Sequence, residues 1–157
     1  MSGTEMEVEL YIYDLSQGMA QMMSMPLLGF HLEAIYHTAI VYNGVEFYFG
    51  GGGIDQSRPG GTHLGPPMRK VKLGKTEVDP CTFNEWIRAM GSSEYRGDTY
   101  ALLTHNCNNF SEDAAQFLVQ KSIPAEILDM PKKVLGTPFG KIIEQQFGSI
   151  KITPGQF

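Results

Sequence analysis

The sequence predicts an α+β domain, a small antiparallel sheet packed with helices. Three observations carry that expectation. Residues 7–13, Glu-Val-Glu-Leu-Tyr-Ile-Tyr, alternate so that Val8, Leu10 and Ile12 share one face, as in a half-buried strand. Residues 34–42 and 45–49 are aromatic and β-branched runs joined by Asn43-Gly44, a two-residue hairpin signal. Later in the chain the period changes, with Phe83, Trp86, Ile87 and Met90, and then Phe110, Ala114, Phe117 and Leu118, falling at helical spacing.

The remaining elements follow in order. Asp14-Leu-Ser16 offers turn and cap chemistry ahead of a methionine-rich helix, residues 19–28, closed by Gly29. Its methionines are expected to fill irregular space in the core rather than to hold a cofactor. Beyond residue 49, Gly50 to Gly53 and Arg58 to Pro67 are too rich in Gly and Pro for a helix, and the stretch reads as one long loop. Loops of that length are usually functional or disordered, and no phosphate-binding GxxxxGK[ST] pattern accompanies the glycines. Residues 71–78 form a further strand, interrupted by Gly74. Thr82-Phe-Asn-Glu85 is a capping box for a helix that Gly91 closes. Residues 99–104 read as a strand or extended lead-in to His105-Asn-Cys-Asn-Asn-Phe-Ser111, which runs into a helix. Prolines then punctuate the chain into short helices at 124–129, 131–136 and 138–147, with a loosely held tail from Gly148.

The chain has 157 residues, 42% hydrophobic and 18% charged, enough apolar material for one core and too little charge for disorder. A single domain over residues 1–157 is expected, with its core at about 6–148 and short flexible tails. The net charge of −5 argues against a nucleic-acid surface. No signal peptide and no apolar run of about 18 residues is found, so no membrane span is expected. With nothing pointing to secretion, Cys81 and Cys107 read as reduced thiols.

Cys107 stands where a nucleophile is useful. Asn106 is a good N-cap, which places the thiol in the first turn of a helix. The partial positive charge there favours thiolate, and free backbone N–H groups could hold an oxyanion. A histidine nearby in space would complete the chemistry by taking and returning a proton. Four are available: His31, His37, His63 and His105. His37 lies on a strand face with Ile35, Ala39 and Val41, which equally suits a core histidine. His105 is two residues from Cys107 and tends to point away. Cys81 also precedes a helix but has no histidine near it in sequence, and is read as a buried structural thiol. A lone His105-x-Cys107 pair does not make a zinc site, so neither metal nor cofactor is expected.

At these residues a family resemblance enters. Tyr13-Asp-Leu-Ser16, Tyr36-His-Thr-Ala-Ile-Val41, Glu46-Phe-Tyr-Phe-Gly50, Pro59-Gly-Gly-Thr62, Leu64-Gly-Pro-Pro67 and His105-Asn-Cys-Asn-Asn-Phe-Ser111 together resemble the PPPDE peptidases of the desumoylating isopeptidase type, over about residues 8–152. The resemblance implies a circularly permuted papain-like cysteine peptidase fold, in which the histidine strand precedes the cysteine helix. It implies that Cys107 is the nucleophile and His37 the general base and acid of a Cys-His dyad. The substrates would be SUMO-conjugated proteins, cleaved through a thioester in the cytoplasm and nucleus by a homodimer. Tyr36 departs from the tryptophan expected before the histidine, which bears on site shape. Asn108, Asn109 and Glu46 are candidates for a third group orienting the imidazole. Gly50 to Gly53 could line a channel for a diglycine tail or simply allow tight turns. A protein S-acyl (palmitoyl) thioesterase or acyltransferase using the same dyad is the first alternative function, and a non-catalytic binding module the second.

Overall fold

Alternation, turn chemistry and helical stripes resolve, in a computed structural model that describes residues 5–138, into five strands and four helices. The strands are β1 (Met6–Asp14), β2 (Tyr36–Tyr42), β3 (Val45–Gly50), β4 (Gly53–Ser57) and β5 (Arg69–Thr76). The helices are α1 (Met19–Leu28), α2 (Pro80–Gly91), α3 (Cys107–Val119) and α4 (Ala125–Leu135), with one 3₁₀ turn at Gly97–Thr99. The sheet order is β4-β3-β2-β1-β5, and every pairing is antiparallel. The class is α+β, as the alternation and the hairpin predict.

One sheet face carries Val8, Leu10, Ile12, Ile40, Tyr42, Phe47 and Phe49. It is covered by Phe110, Ala114 and Leu118 of α3 and by Phe83 of α2, so α3 is the central helix of the core. The opposite face carries Tyr11, Tyr13 and Val41, with Leu64 of the Gly/Pro loop packed over them. The two faces follow from the two-residue period of a strand.

Several sequence expectations are corrected. The loop after residue 49 contains β4, which pairs with β3 from Gly50↔Gly53 to Glu46↔Ser57. The glycines around residues 50–53 thus make a hairpin turn, with Gly53 at φ +101. This turn lies so close to Gly97 that a Cβ there would sit 2.6 Å from the Gly51 carbonyl oxygen. Composition hides this strand because it is short, polar and at the sheet edge. Gly74 (φ +143) marks a bulge in β5, where the register with β1 shifts between Val8 and Glu9. The cap of α2 is Asp79, accepting the Thr82 N–H at 2.8 Å, with Pro80 in the first turn, rather than a box at Thr82.

Residues 99–104 form no strand. They make tight turns closed by an Ala101↔His105 bridge. The expected helices at 124–129 and 131–136 are one, α4, which carries Pro131 within it. Ile127, Met130, Pro131 and Val134 form one buried stripe at i, i+3, i+4 and i+7, so packing outweighs the break that proline alone suggests. Pro138 is helical, and the rest of the expected 138–147 helix and the tail from Gly148 lie outside the described residues. The α1 methionines do not fill the core. Met19, Met22 and Met25 are more than half exposed, and only Ala20 and Ser24 of this helix are buried. A helix this short shows the same apolar residues whether they are covered or not.

Candidate active site

Hydrogen bonding at the start of α3 explains where Cys107 sits. The Asn106 side chain accepts from the N–H of Asn108 (2.9 Å) and of Asn109 (3.4 Å), and the Asn109 side chain accepts from the Asn106 N–H at 2.8 Å. This reciprocal cap fixes Cys107 as the first helical residue. The thiol is buried, and it lines a cavity of about 110 Å³ walled by Tyr36, Tyr100, Leu102, Leu103 and Met130 among others.

The strand opposite is β2. β3 pairs with it only along residues 40–42, which leaves residues 36–39 without a β3 partner on that edge. The first turn of α3 occupies the gap. Asn108 Nδ2 donates to the Tyr36 carbonyl at 3.1 Å, and Thr38 Oγ1 donates to Asn108 Oδ1 at 2.8 Å. Backbone N–H groups of Thr38, Cys107 and Asn108 face the sulfur. Thus Cys107 meets β2 beside the residue that follows His37.

His37 itself pairs with Tyr13 of β1 and projects from the other face, between the rings of Tyr13 and Tyr48 at centroid distances of 5.6 and 6.1 Å. It is 1% exposed, and its Nε2 has no hydrogen-bond partner. A buried imidazole nitrogen with nothing bonded to it calls for an explanation, of which a catalytic role is one. Among the described residues no hydrogen bond joins His37 to Cys107. Burial pushes the imidazole pKa down to about 3. Burial also pushes the thiol up to about 12, against the pull of the surrounding backbone N–H groups. The thiolate expected from a helix N-terminus is therefore not the resting form, because desolvation outweighs the helix field. Thiol and imidazole both rest neutral, the sulfur at the β2 edge beside Thr38 and the imidazole between Tyr13 and Tyr48.

The other sequence candidates fall elsewhere. His105 Nδ1 lies 3.0 Å from the Thr99 carbonyl, and its ring stacks on Tyr95, so it holds the turn before α3. His31 lines a separate surface pocket with Glu33 and Glu126 and is not among the residues walling the Cys107 cavity, and His63 lies in the Gly/Pro loop. Cys81 is exposed, which overturns its reading as a buried thiol; it lies on the solvent side of the first turn of α2, whose Phe83 turns into the core. Asn109 is spent on the cap of α3. Glu46 is fully buried, with Oε2 accepting from Tyr13 Oη at 2.7 Å and Oε1 accepting from the Gly60 N–H at 2.8 Å. It ties the Gly/Pro loop to the His37 face. Burial raises its pKa, with the two hydrogen bonds opposing.

Comparison with known proteins adds the decisive observation. The PPPDE putative peptidase domain matches residues 6–147. This chain belongs to the PPPDE peptidase family. The human protein named Desumoylating isopeptidase 1 is 49% identical over 147 residues, covering 94% of this chain and 88% of the human one. Its Xenopus laevis counterpart is 43% identical over the same length, covering 94% and 87%. A Caenorhabditis elegans homologue is 31% identical over 123 residues, covering 72% of this chain and 36% of its own. The chain is accordingly an enzyme of the peptidase class. Its PPPDE fold, with the histidine strand ahead of the cysteine helix, accords with the permuted papain-like order. No helix among the described residues is long and apolar enough to cross a membrane.

Proposed function

We propose that this PPPDE protein is a cysteine isopeptidase that removes SUMO, or a related ubiquitin-like modifier, from lysines of target proteins. The observation that carries the reading is Cys107, held as the first residue of a capped helix against the strand that bears His37. The name shared by the human and Xenopus laevis relatives supplies the substrate class. In the reaction, His37 takes the thiol proton as Sγ attacks the isopeptide carbonyl, and the Cys107 N–H, which the Asn106 side chain does not engage, faces the developing oxyanion. The imidazolium returns that proton to the departing lysine amine, leaving a thioester. Water then adds to the thioester, with His37 again as base, and releases the modifier carboxylate and the free thiol. The thiol rests neutral, donating to Asn108 Oδ1 at 3.7 Å, and the neutral imidazole leaves Nε2 without a partner, so substrate entry is the step that brings the imidazole and sulfur together.

A second reading has its own observation. The cavity at Cys107 and an apolar groove of about 350 Å³ along α1 share two lining residues, Ile35 and Val134, so apolar surface lies on both sides of this pair, toward the thiol and toward Met19, Met23 and Leu27. Apolar surface so placed suits a long acyl chain, and hence a protein S-acyl thioesterase using the same two residues. A SUMO probe carrying a C-terminal electrophile should label Cys107, and a SUMO conjugate should be cleaved. Release of palmitate from an S-acylated protein with no action on the conjugate would favour the thioesterase. No labelling and no turnover of either would leave a non-catalytic binding module. On the family resemblance alone, the reading extends to a homodimer in the cytoplasm and nucleus. Solution mass and the location of a tagged chain test those two parts.

A further inference from the structure

The gap that β3 leaves beside His37 is filled by one side chain. Asn108 is 2% exposed, and both ends of its amide are engaged across more than 70 residues of sequence by Tyr36 and at 70 by Thr38. Nδ2 donates to the Tyr36 carbonyl at 3.1 Å and Oδ1 accepts from Thr38 Oγ1 at 2.8 Å. These two partners flank His37 in sequence. Oδ1 also lies 3.7 Å from Cys107 Sγ. The strand edge here would otherwise present an unpaired carbonyl to a buried interior, which is costly. An asparagine answers it with a donor and an acceptor on one rigid amide.

We infer that Asn108 is the positioning residue of the site: its amide pins the strand residues on both sides of His37 to the helix that carries Cys107, and so sets the approach of imidazole to sulfur. It never bonds the imidazole, so it differs from a third group that orients the ring directly. The inference rests on the dyad assigned under Proposed function, but its physical core, the link between Asn108 and β2, stands without any substrate. Glu46 and Tyr13 hold the far side of His37 through the Gly/Pro loop, whereas Asn108 reaches both the cysteine and the histidine strand.

The test uses the full chain and reads two quantities. For cleavage of a SUMO conjugate, Asn108→Ala should lower kcat by about 10²-fold, the scale of loss from a misplacement of about 1 Å, with KM changed by less than about 3-fold. For alkylation of Cys107 by iodoacetamide across pH, Asn108→Asp should move the midpoint upward, since a carboxylate would stand where Oδ1 now lies beside the sulfur. Thr38→Val removes one arm of the clamp at nearly constant volume, and it should lower kcat per folded molecule, while Thr38→Ser, which keeps the hydroxyl, restores it. If Asn108→Ala does not fold, the Thr38 pair and the Asp variant decide. Equal kcat for Thr38→Val and Thr38→Ser, or an unmoved alkylation midpoint in Asn108→Asp, overturns the inference. A wild-type chain that cleaves no conjugate overturns the isopeptidase reading instead, and the alkylation profiles still judge the clamp.

Discussion

The thiols of Cys81 and Cys107 both sit in the first turn of a helix, one exposed on α2 and the other buried at the start of α3. Their chemistry should separate accordingly. In native protein at neutral pH, a small alkylating reagent should modify Cys81 first and Cys107 slowly, as mass spectrometry of the two peptides would show; the reverse order would contradict the burial of Cys107. Catalysis should follow the opposite pattern. Cys107→Ser and His37→Ala are each expected to lower turnover by at least about 10³-fold with the fold retained, because residues acting as a unit fail together. Cys81→Ser should leave turnover unchanged. A loss with Cys81→Ser and none with Cys107→Ser, in the same assay with circular dichroism as the fold control, would reverse the assignment.

Two local devices position these residues at the level of elements. The first is the cap of α3. Asn106 satisfies two helix N–H groups and also donates from Nδ2 to the Leu102 carbonyl at 2.9 Å, locking the preceding turn. Asn106→Ala should cost about 1 kcal/mol or somewhat more in urea denaturation, and it should free the first turn that carries Cys107. The second is the β3–β4 hairpin against the 3₁₀ turn. There the fixed neighbour of Gly97 is backbone, so Gly97→Ala cannot be relieved by moving a side chain. A loss of about 1–3 kcal/mol is expected from the clash, measured in the same way, and an unchanged midpoint would mean that the hairpin yields.

Stability across pH belongs to the whole molecule, since folding itself buries His37 and Cys107. The imidazole is held near a pKa of 3 in the folded chain and titrates near 6.5 unfolded. Between those values the unfolded chain binds the extra proton, so the His37 contribution is present above 6.5 and is lost as pH falls, by about 1.4 kcal/mol per unit. The thiol behaves conversely. Its folded pKa near 12 lies above the ordinary 9.0, so its contribution is present below 9 and is lost as pH rises toward 12. Glu46, raised by burial, adds a loss with rising pH that starts in the carboxylate range. Replacing His37 with Gln isolates the imidazole: the difference in denaturation midpoint between pH 7 and pH 5 should shrink relative to the parent. An equal difference in both proteins would show that His37 is not desolvated as described.

The α+β class, the Asn43-Gly44 hairpin, the Asn106 cap and the placement of Cys107 at a helix start are all legible in the order of residues. All of these rest on short-range chemistry: alternation, turn residues, and side chains bonding backbone a few positions away. Family resemblance in the sequence also singled out His37, which its own apolar strand left as one histidine among four. What burial does to that pair follows from packing in three dimensions. Desolvation depends on everything packed around a group, so the thiol sits high and the imidazole low where the helix end alone suggests a thiolate. The same holds for Asn108, whose partners Tyr36 and Thr38 lie some 70 residues earlier. It holds too for Pro131, which a buried stripe keeps within one helix, and for the α1 methionines, whose exposure depends on what the rest of the chain leaves uncovered.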